Sequence, residues 1–152
     1  MYESAVMTGN ATVDLIMRDK LFFCQEHHIQ LSFVGDGTIL DFMAIPDIYA
    51  LFGNALDNAI ESVLREEQPQ NRVISFRVGK IGNVVGIRFE NPVSRSVLFS
   101  DGLPVTDKED RQYHGFGVLS MKRITEKYQG NLRIHTENGC FCVDIMLPYL
   151  QP

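Results

Sequence analysis

The sequence predicts a two-layer α/β sandwich in which three helices cover one face of a mixed, mostly antiparallel sheet. Three stretches repeat apolar residues with a helical period, and three pairs of shorter stretches alternate apolar and polar residues. Turn residues separate the members of each pair, which is typical of β-hairpins. Because hairpins pair antiparallel and amphipathic helices must bury one side, a helix-covered sheet is the expected architecture.

The elements follow one another as helix, two strands, helix, two strands, a long irregular stretch, helix and two strands. Helical spacing covers residues 11–27, 46–67 and 118–128, with Asn10 as the N-cap of the first helix and Pro46 opening the second. Strand alternation covers residues 28–34 with 39–44, 72–78 with 84–90, and 132–136 with 141–147. Glycine-containing turns predict a hairpin for each pair.

Residues 91–114 show no sustained period, although they contain two prolines and a cluster of charged residues at 107–111. A stretch of this length without secondary structure is unusual inside a compact domain and is normally a functional lid or a disordered segment.

Length and composition indicate one globular domain. The chain has 152 residues, 45% hydrophobic and 22% charged, which suits a single continuous core. A net charge of −5 gives no basic field for nucleic acid. Three cysteines do not make a disulfide framework and suit a reducing compartment, and the apolar runs are too short to cross a bilayer. We therefore expect a cytoplasmic domain without direct membrane contact.

The second predicted helix carries two carboxamides four residues apart. Asn54, Asp57, Asn58 and Glu61 fall on about a third of the helix circumference, beside an apolar face. Such a stripe can hold a hydrated cation and its phosphates. The alternative is an ordinary solvent-exposed polar face, because asparagine is only tolerated inside helices.

Two glycines precede the third predicted helix in His114-Gly115-Phe116-Gly117. Glycines at this place let the backbone approach an anion, and the free N–H groups of a first helical turn point toward it. Phosphate would suit such a site. The alternative is a tight turn from loop to helix without a ligand.

In combination, these motifs resemble the ATP-binding domain of the GHKL superfamily, which includes gyrase, a heat-shock chaperone, histidine kinases and mismatch-repair ATPases. Residues 54–59 resemble its N-box and residues 114–117 its second glycine box, and the resemblance extends from about residue 8 to 148. Within the superfamily, the chain most resembles the catalytic domains of peptide-responsive, quorum-sensing histidine kinases. Features that indicate this group include Thr8-Gly9-Asn10 with Asp14, and Phe89-Glu90-Asn91-Pro92.

The resemblance implies a Bergerat-type ATP-binding fold with ATP and Mg²⁺ as ligands. Asn58 would coordinate the magnesium, and Asn54 would stand beside it as a second catalytic residue. The other implied ATP-binding residues are Asp57, Asn91, His114, Gly115, Phe116, Gly117 and Lys122. Relatives that hydrolyse ATP carry a glutamate at the position of Asn54, and an amide cannot accept a proton at neutral pH. Transfer to a protein nucleophile is therefore expected.

The sequence departs from the family pattern at two places. The first glycine box is replaced by Asn91-Pro92-Val93. A neutral amide therefore stands where the family has a carboxylate that accepts a hydrogen bond from the adenine amino group. Glu61 stands where many kinases have a lysine after the N-box, which removes one positively charged contact to the phosphates. Lys122 or Arg123 could supply that contact instead.

As domains, we expect residues 1–10 to be a linker from an upstream dimerisation hairpin and residues 11–150 to be the catalytic domain, with an ATP lid at about 92–114. The expected function is transfer of the ATP γ-phosphate to a histidine of the dimerisation domain, in a homodimeric kinase that serves a response regulator. By itself this chain would be monomeric. The alternatives are a degenerate scaffold for protein contacts and an anti-sigma-type serine kinase.

Overall fold

The computed structural model describes residues 7–105 and 111–149, and for 111–116 it describes the backbone alone. Three helices are present in this part of the chain: α1 (Ala11–Glu26), α2 (Ile45–Leu64) and α3 (Arg111–Lys127). The strands are β1 (Gln30–Gly35), β2 (Val73–Ile81), β3 (Val84–Pro92), β4 (Phe99–Ser100), β5 (Leu103–Pro104), β6 (Asn131–Glu137) and β7 (Cys140–Pro148). Short 3₁₀ helices span Gly37–Phe42 and Pro69–Asn71.

Five of the strands form one sheet in the order β1-β2-β3-β7-β6, in which only β1 and β2 pair parallel. The sheet is therefore mixed and mostly antiparallel, and the predicted fold class is confirmed. Along β2, Ile74, Phe76 and Val78 are buried beneath the helices, whereas Arg77 and Gly79 face the other way and are exposed. This alternation shows that the helices cover one face of the sheet.

Aromatic rings at the centre of the core connect α2 to the sheet. The ring of Phe52 meets those of Phe76 and Phe89 edge to face at centroid distances of 5.9 and 5.4 Å, and the latter two rings stack at 5.1 Å. All three side chains are fully buried. Because such rings contribute large buried areas and prefer these geometries, they fix how α2 lies across β2 and β3.

The motif at the start of α1 forms a buried hydrogen-bond network. Asn10 caps the helix by accepting from Val13 N at 3.1 Å, as predicted. Thr8 donates to Asp14 Oδ1 through its backbone N–H at 2.6 Å and its hydroxyl at 2.7 Å. Gly37 N donates to Thr8 O at 2.6 Å, and a Cβ at Gly37 would approach Thr8 O to 2.8 Å. The motif thus ties α1 to the following 3₁₀ helix.

The predicted first hairpin is wrong. Residues 39–44 do not form a strand, because the chain turns into the 3₁₀ helix at Gly37–Phe42 and β1 pairs with β2 instead. Gly37, Leu40 and Met43 are buried at a spacing of three, which a 3₁₀ helix places on one side. Asp36 starts this helix by accepting from Thr38 N at 3.0 Å.

The predicted irregular stretch at 91–114 contains regular structure. β4 and β5 form a small hairpin through Asp101 and Gly102, both at positive φ. The third helix begins at Arg111 and not near Val118 as expected, so that Gly115 and Gly117 lie inside its first two turns. None of the three helices in the described part of the chain combines the length and the apolar character that a membrane span requires.

Candidate functional site

A cavity of about 280 Å³ lies between α2, the segment that follows β3, Val118 of α3 and Phe141 of β7. One stripe of α2 forms its polar wall, consisting of Asn58, Glu61, Ser62 and Arg65. Spacings of three and four residues place these side chains on one side of the helix, as the sequence indicated for the first two. The cavity also has apolar surface, contributed by Val97, Leu98, Val118 and Phe141. A small set of polar groups beside an apolar wall is typical of a ligand site.

Arg95 connects the segment after β3 to α2 at the edge of this cavity. Its guanidinium pairs with Glu66 Oε2 at 3.2 Å and donates to the Ser62 carbonyl at 3.4 Å and hydroxyl at 3.3 Å. The Glu66 side chain is only 2% exposed and also accepts from Ser94 N and Asn71 Nδ2, both at 3.1 Å. Arg95 is thus held with its charged end against the cavity wall.

The environment of Glu66 keeps its carboxylate ionised. Burial by itself would raise the pKa of Glu66, but the hydrogen bonds from Ser94 and Asn71 and the charge of Arg95 outweigh it and hold the pKa below its ordinary value.

Asn91 lies behind Ser62, at the end of β3. It is 1% exposed, and its Nδ2 donates to Ser62 Oγ at 2.9 Å and to Pro92 O at 3.0 Å. Ser62 Oγ also receives the Arg95 bond, so both of its acceptor positions are occupied. No described residue accepts a hydrogen bond from the Ser62 hydroxyl. Asn91 Oδ1 likewise receives no hydrogen bond from a described residue.

Asn54 and Gly117 meet where α2 and α3 touch. A Cβ on Gly117 would stand 3.3 Å from Asn54 Oδ1, so the glycine permits the close approach of the two helices at this point. The family resemblance predicts that these two residues belong to one site, and in the structure they lie side by side. Asn54 is half-buried and, unlike Asn58, does not line the described part of the cavity.

Two further residues from the sequence prediction lie away from the cavity. Asp57 faces α1, where its carboxylate pairs with Lys20 Nζ at 2.7 Å. Lys122 is exposed on α3 and does not line the described cavity. At 100° per residue around the axis of α2, Asp57 and Asn58 lie on opposite sides of Asn54. Asp57 is on the side toward α1 and Asn58 is on the side toward the cavity, so the predicted stripe is divided between them.

The glycine-rich motif does not form a helix N-terminus. With α3 beginning at Arg111, only its first four N–H groups lack helical partners, and that of Gly117 is not among them. The side chains of His114 and Phe116, and the surroundings of Gly115, lie outside the described residues.

Ser62, Arg65 and Arg95 were not predicted from the sequence. The first two continue the spacing of Asn58 along α2, so extending the stripe by one turn would have found them. Arg95 carried no such signal, because its position depends on the path of the irregular segment after β3.

Cys142 and His27 lie outside the cavity in structural surroundings. Cys142 is buried beside Arg88 Nη2 at 3.0 Å, and burial raises its pKa. Among the described residues no group of three or more histidine, cysteine or acidic side chains could hold a metal. The ring of His27 stacks on Phe23 at 3.9 Å.

Comparisons with known proteins agree with this architecture. The family model described as "GHKL domain" matches residues 43–148. Two structures of the catalytic domain of histidine kinase ThkA superpose with TM-scores of 0.70 and 0.69 at 14% and 15% identity, covering 93% of this chain and 95% and 93% of theirs. The Acinetobacter baumannii histidine kinase AdeS superposes with a TM-score of 0.62 at 10% identity, covering 93% of this chain and 64% of its own. No curated protein matches the sequence.

Proposed function

This chain belongs to the GHKL domain family, and from that premise we propose that its cavity binds ATP with Mg²⁺ and that the γ-phosphate is transferred to a histidine on a dimerisation domain outside the chain. The observation that carries the proposal is the α2 stripe at the cavity wall, with Asn58 on it and Asn54 one turn earlier against Gly117.

The phosphate end of the site would lie at Asn58. Mg²⁺ prefers oxygen ligands and keeps several of its waters, so one carboxamide with a neighbouring carboxylate at Glu61 fits the ion without an all-protein cage. Bound there, the ion would neutralise charge on the phosphates. Arg65, one turn beyond Glu61 on the same wall, adds a positive charge for the nucleotide's anionic part.

The base end would lie at Ser62 and Asn91. Ser62 has a hydroxyl proton to donate, and Asn91 has a carboxamide oxygen that accepts from no described residue. One donor and one acceptor side by side match a ring nitrogen and the amino group of adenine. The Asn91 bond would lack the charge assistance of a carboxylate, so we expect weaker nucleotide binding than with aspartate at this position.

Transfer to a protein nucleophile fits the residues better than hydrolysis. Asn54 offers an amide where relatives that hydrolyse ATP have a general base. Glu61 is the one carboxylate among the described residues of the cavity wall, and the proposed metal site assigns it to Mg²⁺. The work left to this chain is to position the phosphates and exclude water, which is the main contribution of proteins to phosphoryl transfer.

As partners we propose the chain's own dimerisation domain in a homodimeric, cytoplasmic kinase module and a response regulator that receives the phosphate. His114, Gly115, Phe116 and Gly117 would close over the nucleotide together with the hairpin of β4 and β5. Lys122, which is exposed on the same helix, could reach the phosphates only after such a closure.

One observation favours a second candidate function. Arg95 is bonded to Ser62 at the cavity wall, and Asn91 already uses its amide nitrogen within the fold. Such internal hydrogen bonds at the cavity wall are also expected of a domain that has lost nucleotide binding and serves as a protein-interaction scaffold.

Calorimetric titration with ATP and Mg²⁺ distinguishes the two candidates. We expect saturable binding that Asn58→Ala weakens about tenfold or more, since a metal ligand is lost. Asn83→Ala, which removes the same carboxamide from the exposed turn between β2 and β3, should leave binding unchanged. Absence of binding to the unmodified chain would favour the scaffold.

The phosphoacceptor requires a second assay. With the dimerisation domain of the parent protein added, radiolabelled γ-phosphate should appear on a histidine and be lost in acid. An acid-stable label would indicate serine and hence an anti-sigma-type kinase.

A further inference from the structure

The base end of the proposed nucleotide site is closed in this structure. Asn91, whose carboxamide oxygen would accept from adenine, is 1% exposed and does not line the described cavity. The cavity of about 280 Å³ is also slightly smaller than the range of about 300–1,000 Å³ that is usual for small-molecule sites. A nucleotide therefore reaches Asn91 only if a neighbouring group moves.

Arg95 is the charged group at this place. Its Nη2 donates to Ser62 Oγ at 3.3 Å, and Asn91 Nδ2 donates to the same oxygen at 2.9 Å. Ser62 and Arg95 both line the cavity, whereas Asn91 does not. The Asn91 carboxamide is thus reached from the cavity across the Ser62 hydroxyl, beside which the Arg95 guanidinium lies.

The guanidinium of Arg95 also competes chemically with the base. A guanidinium has only donors, and the amino group of adenine is a donor as well, so the two cannot bond to each other. An amino group that approaches the Asn91 oxygen past Ser62 therefore meets further donors. Departure of Arg95 leaves the Ser62 hydroxyl and the Asn91 oxygen beside each other without this competitor.

The contacts that hold Arg95 permit its release. Its bonds to Ser62 Oγ, to the Ser62 carbonyl and to Glu66 Oε2 measure 3.3, 3.4 and 3.2 Å, longer than the usual N–H···O distance of about 2.9–3.0 Å. Its side chain is 35% exposed, so the guanidinium has water beside it. The buried Glu66 would keep its bonds from Ser94 N and Asn71 Nδ2, and its carboxylate would not lose all of its donors.

Arg95 lies on a segment that is connected to the small hairpin of β4 and β5. Three residues further on, Leu98 O accepts from Val105 N at 2.8 Å, directly after β5. On the other side of Arg95, Ser94 N is bonded to Glu66. A displacement of the hairpin would therefore be transmitted to Arg95 along a short piece of chain.

We propose that Arg95 is an autoinhibitory latch, whose guanidinium closes the base end of the cavity in the nucleotide-free chain and must leave before a nucleotide binds. The inference rests on the proposed nucleotide function. A ligand that binds only one form of a protein has its apparent affinity reduced by the fraction of molecules in that form. Removing the latch therefore raises nucleotide affinity, although a positive charge near an anionic ligand is lost.

The test is a calorimetric titration of the unmodified chain and of Arg95→Ala with ATP and Mg²⁺. We expect Arg95→Ala to bind about tenfold more tightly or better, because the closed form is no longer populated. Its melting temperature should fall, because the buried Glu66 loses its ion pair. Tighter binding by a less stable variant excludes both misfolding and a merely structural role of Arg95.

Arg65→Ala is the matched control. Arg65 lines the same cavity, and its charge is proposed to attract the phosphates, so its loss should weaken binding. Opposite effects of two arginines on one cavity separate a latch from a general effect of charge.

Arg95→Lys is the second variant, which decides if Arg95→Ala does not fold. It keeps the positive charge but lacks the planar fork that reaches Glu66 and both Ser62 oxygens at once. We expect its affinity for ATP to rise about threefold, between that of the unmodified chain and that of Arg95→Ala.

Inorganic tripolyphosphate with Mg²⁺ locates the effect within the site. This ligand has the phosphates without the base, so Arg95→Ala should not bind it more tightly than the unmodified chain does. A gain for tripolyphosphate as large as that for ATP would overturn the inference, because the effect would then not lie at the base end.

The inference is also overturned if the unmodified chain binds ATP and both Arg95 variants bind it equally or more weakly. That result leaves the proposed function intact. If neither the unmodified chain nor any variant binds ATP, the proposed function itself fails, and the latch fails with it.

Discussion

Gly117 of α3 lies so close to Asn54 of α2 that a Cβ on the glycine would stand 3.3 Å from the carboxamide oxygen. This contact is tighter than most Cβ contacts, so a larger residue forces Asn54 to move by a few tenths of an ångström. Through this contact, the two sequence motifs that predicted a nucleotide site lie next to each other in the structure.

Gly117→Ala should therefore separate stability from binding. Alanine favours a helix interior over glycine by about 1 kcal/mol, but the contact with Asn54 offsets part of that gain, so the free energy of unfolding should change by less than about 1 kcal/mol. Under the proposed function, displacement of Asn54 lowers the affinity for ATP and Mg²⁺, as calorimetry would show. An unchanged affinity would remove Asn54 from the site.

Gly53→Ala is the matched control and a prediction in its own right. Gly53 lies inside α2, next to Asn54 in sequence, yet a Cβ there would meet no described atom within 4 Å. The substitution should raise the free energy of unfolding by about 0.5–1 kcal/mol, measured by urea denaturation, without changing nucleotide affinity. A loss of stability would show that an unseen contact fills this space.

Arg95→Ala should destabilise the domain. Removing the guanidinium leaves the Glu66 carboxylate buried with two neutral donors, Ser94 N and Asn71 Nδ2, and a loss of about 1–3 kcal/mol is expected in urea denaturation. A double-mutant cycle with Glu66→Gln should show coupling above about 0.5 kcal/mol. Additive effects would mean that the ion pair contributes nothing by itself.

Asp57→Asn should have little effect, although the sequence placed Asp57 at the site. Its carboxylate is 57% exposed, and a surface ion pair such as that with Lys20 contributes about 0–1 kcal/mol. Affinity for ATP and Mg²⁺ should also stay the same, because Asp57 faces α1 and not the cavity. A marked loss of affinity would show that the sequence prediction was right.

Local signals in the sequence were sufficient for most elements. Asn10 has the side chain that a helix N-terminus needs, and Asn138-Gly139, both at positive φ, form the two-residue turn that joins antiparallel strands. The hairpin predicted around Gly35-Asp36-Gly37 was wrong, because a short apolar stretch fits both a strand and a 3₁₀ helix. The buried hydrogen bond from Gly37 N to Thr8 O favours the 3₁₀ helix.

The candidate site was predictable only in part. Asn58 follows from helical spacing, but Arg95 reaches Ser62 and Glu66 from a segment without a period, about thirty residues later in the chain. Which side of α2 meets α1 and which meets the cavity also depends on packing, and this is why Asp57 and Asn58, adjacent in sequence, have different neighbours.

The start of α2 and the end of α3 are joined by a carboxylate that makes stability depend on pH. Asp47 accepts from Lys127 Nζ at 2.7 Å and from Tyr128 Oη at 2.6 Å, and Tyr128 Oη accepts from Ala44 N at 2.8 Å. The hydrogen bonds from Lys127 and Tyr128 hold the pKa of Asp47 below its ordinary value despite partial burial.

Because folding favours the ionised form of Asp47, its contribution is complete above the pKa of the unfolded chain, about 4, and is lost as the pH falls through the lower pKa of the folded state. Asp47→Asn should therefore be less stable than the unmodified protein by about 1–2 kcal/mol near neutral pH, and this difference should shrink below about pH 4. Urea denaturation at a series of pH values measures it, with Asp19→Asn on the exposed side of α1 as the control. A difference that stays constant down to about pH 2 would show that the shifted pKa of Asp47 does not contribute to acid unfolding.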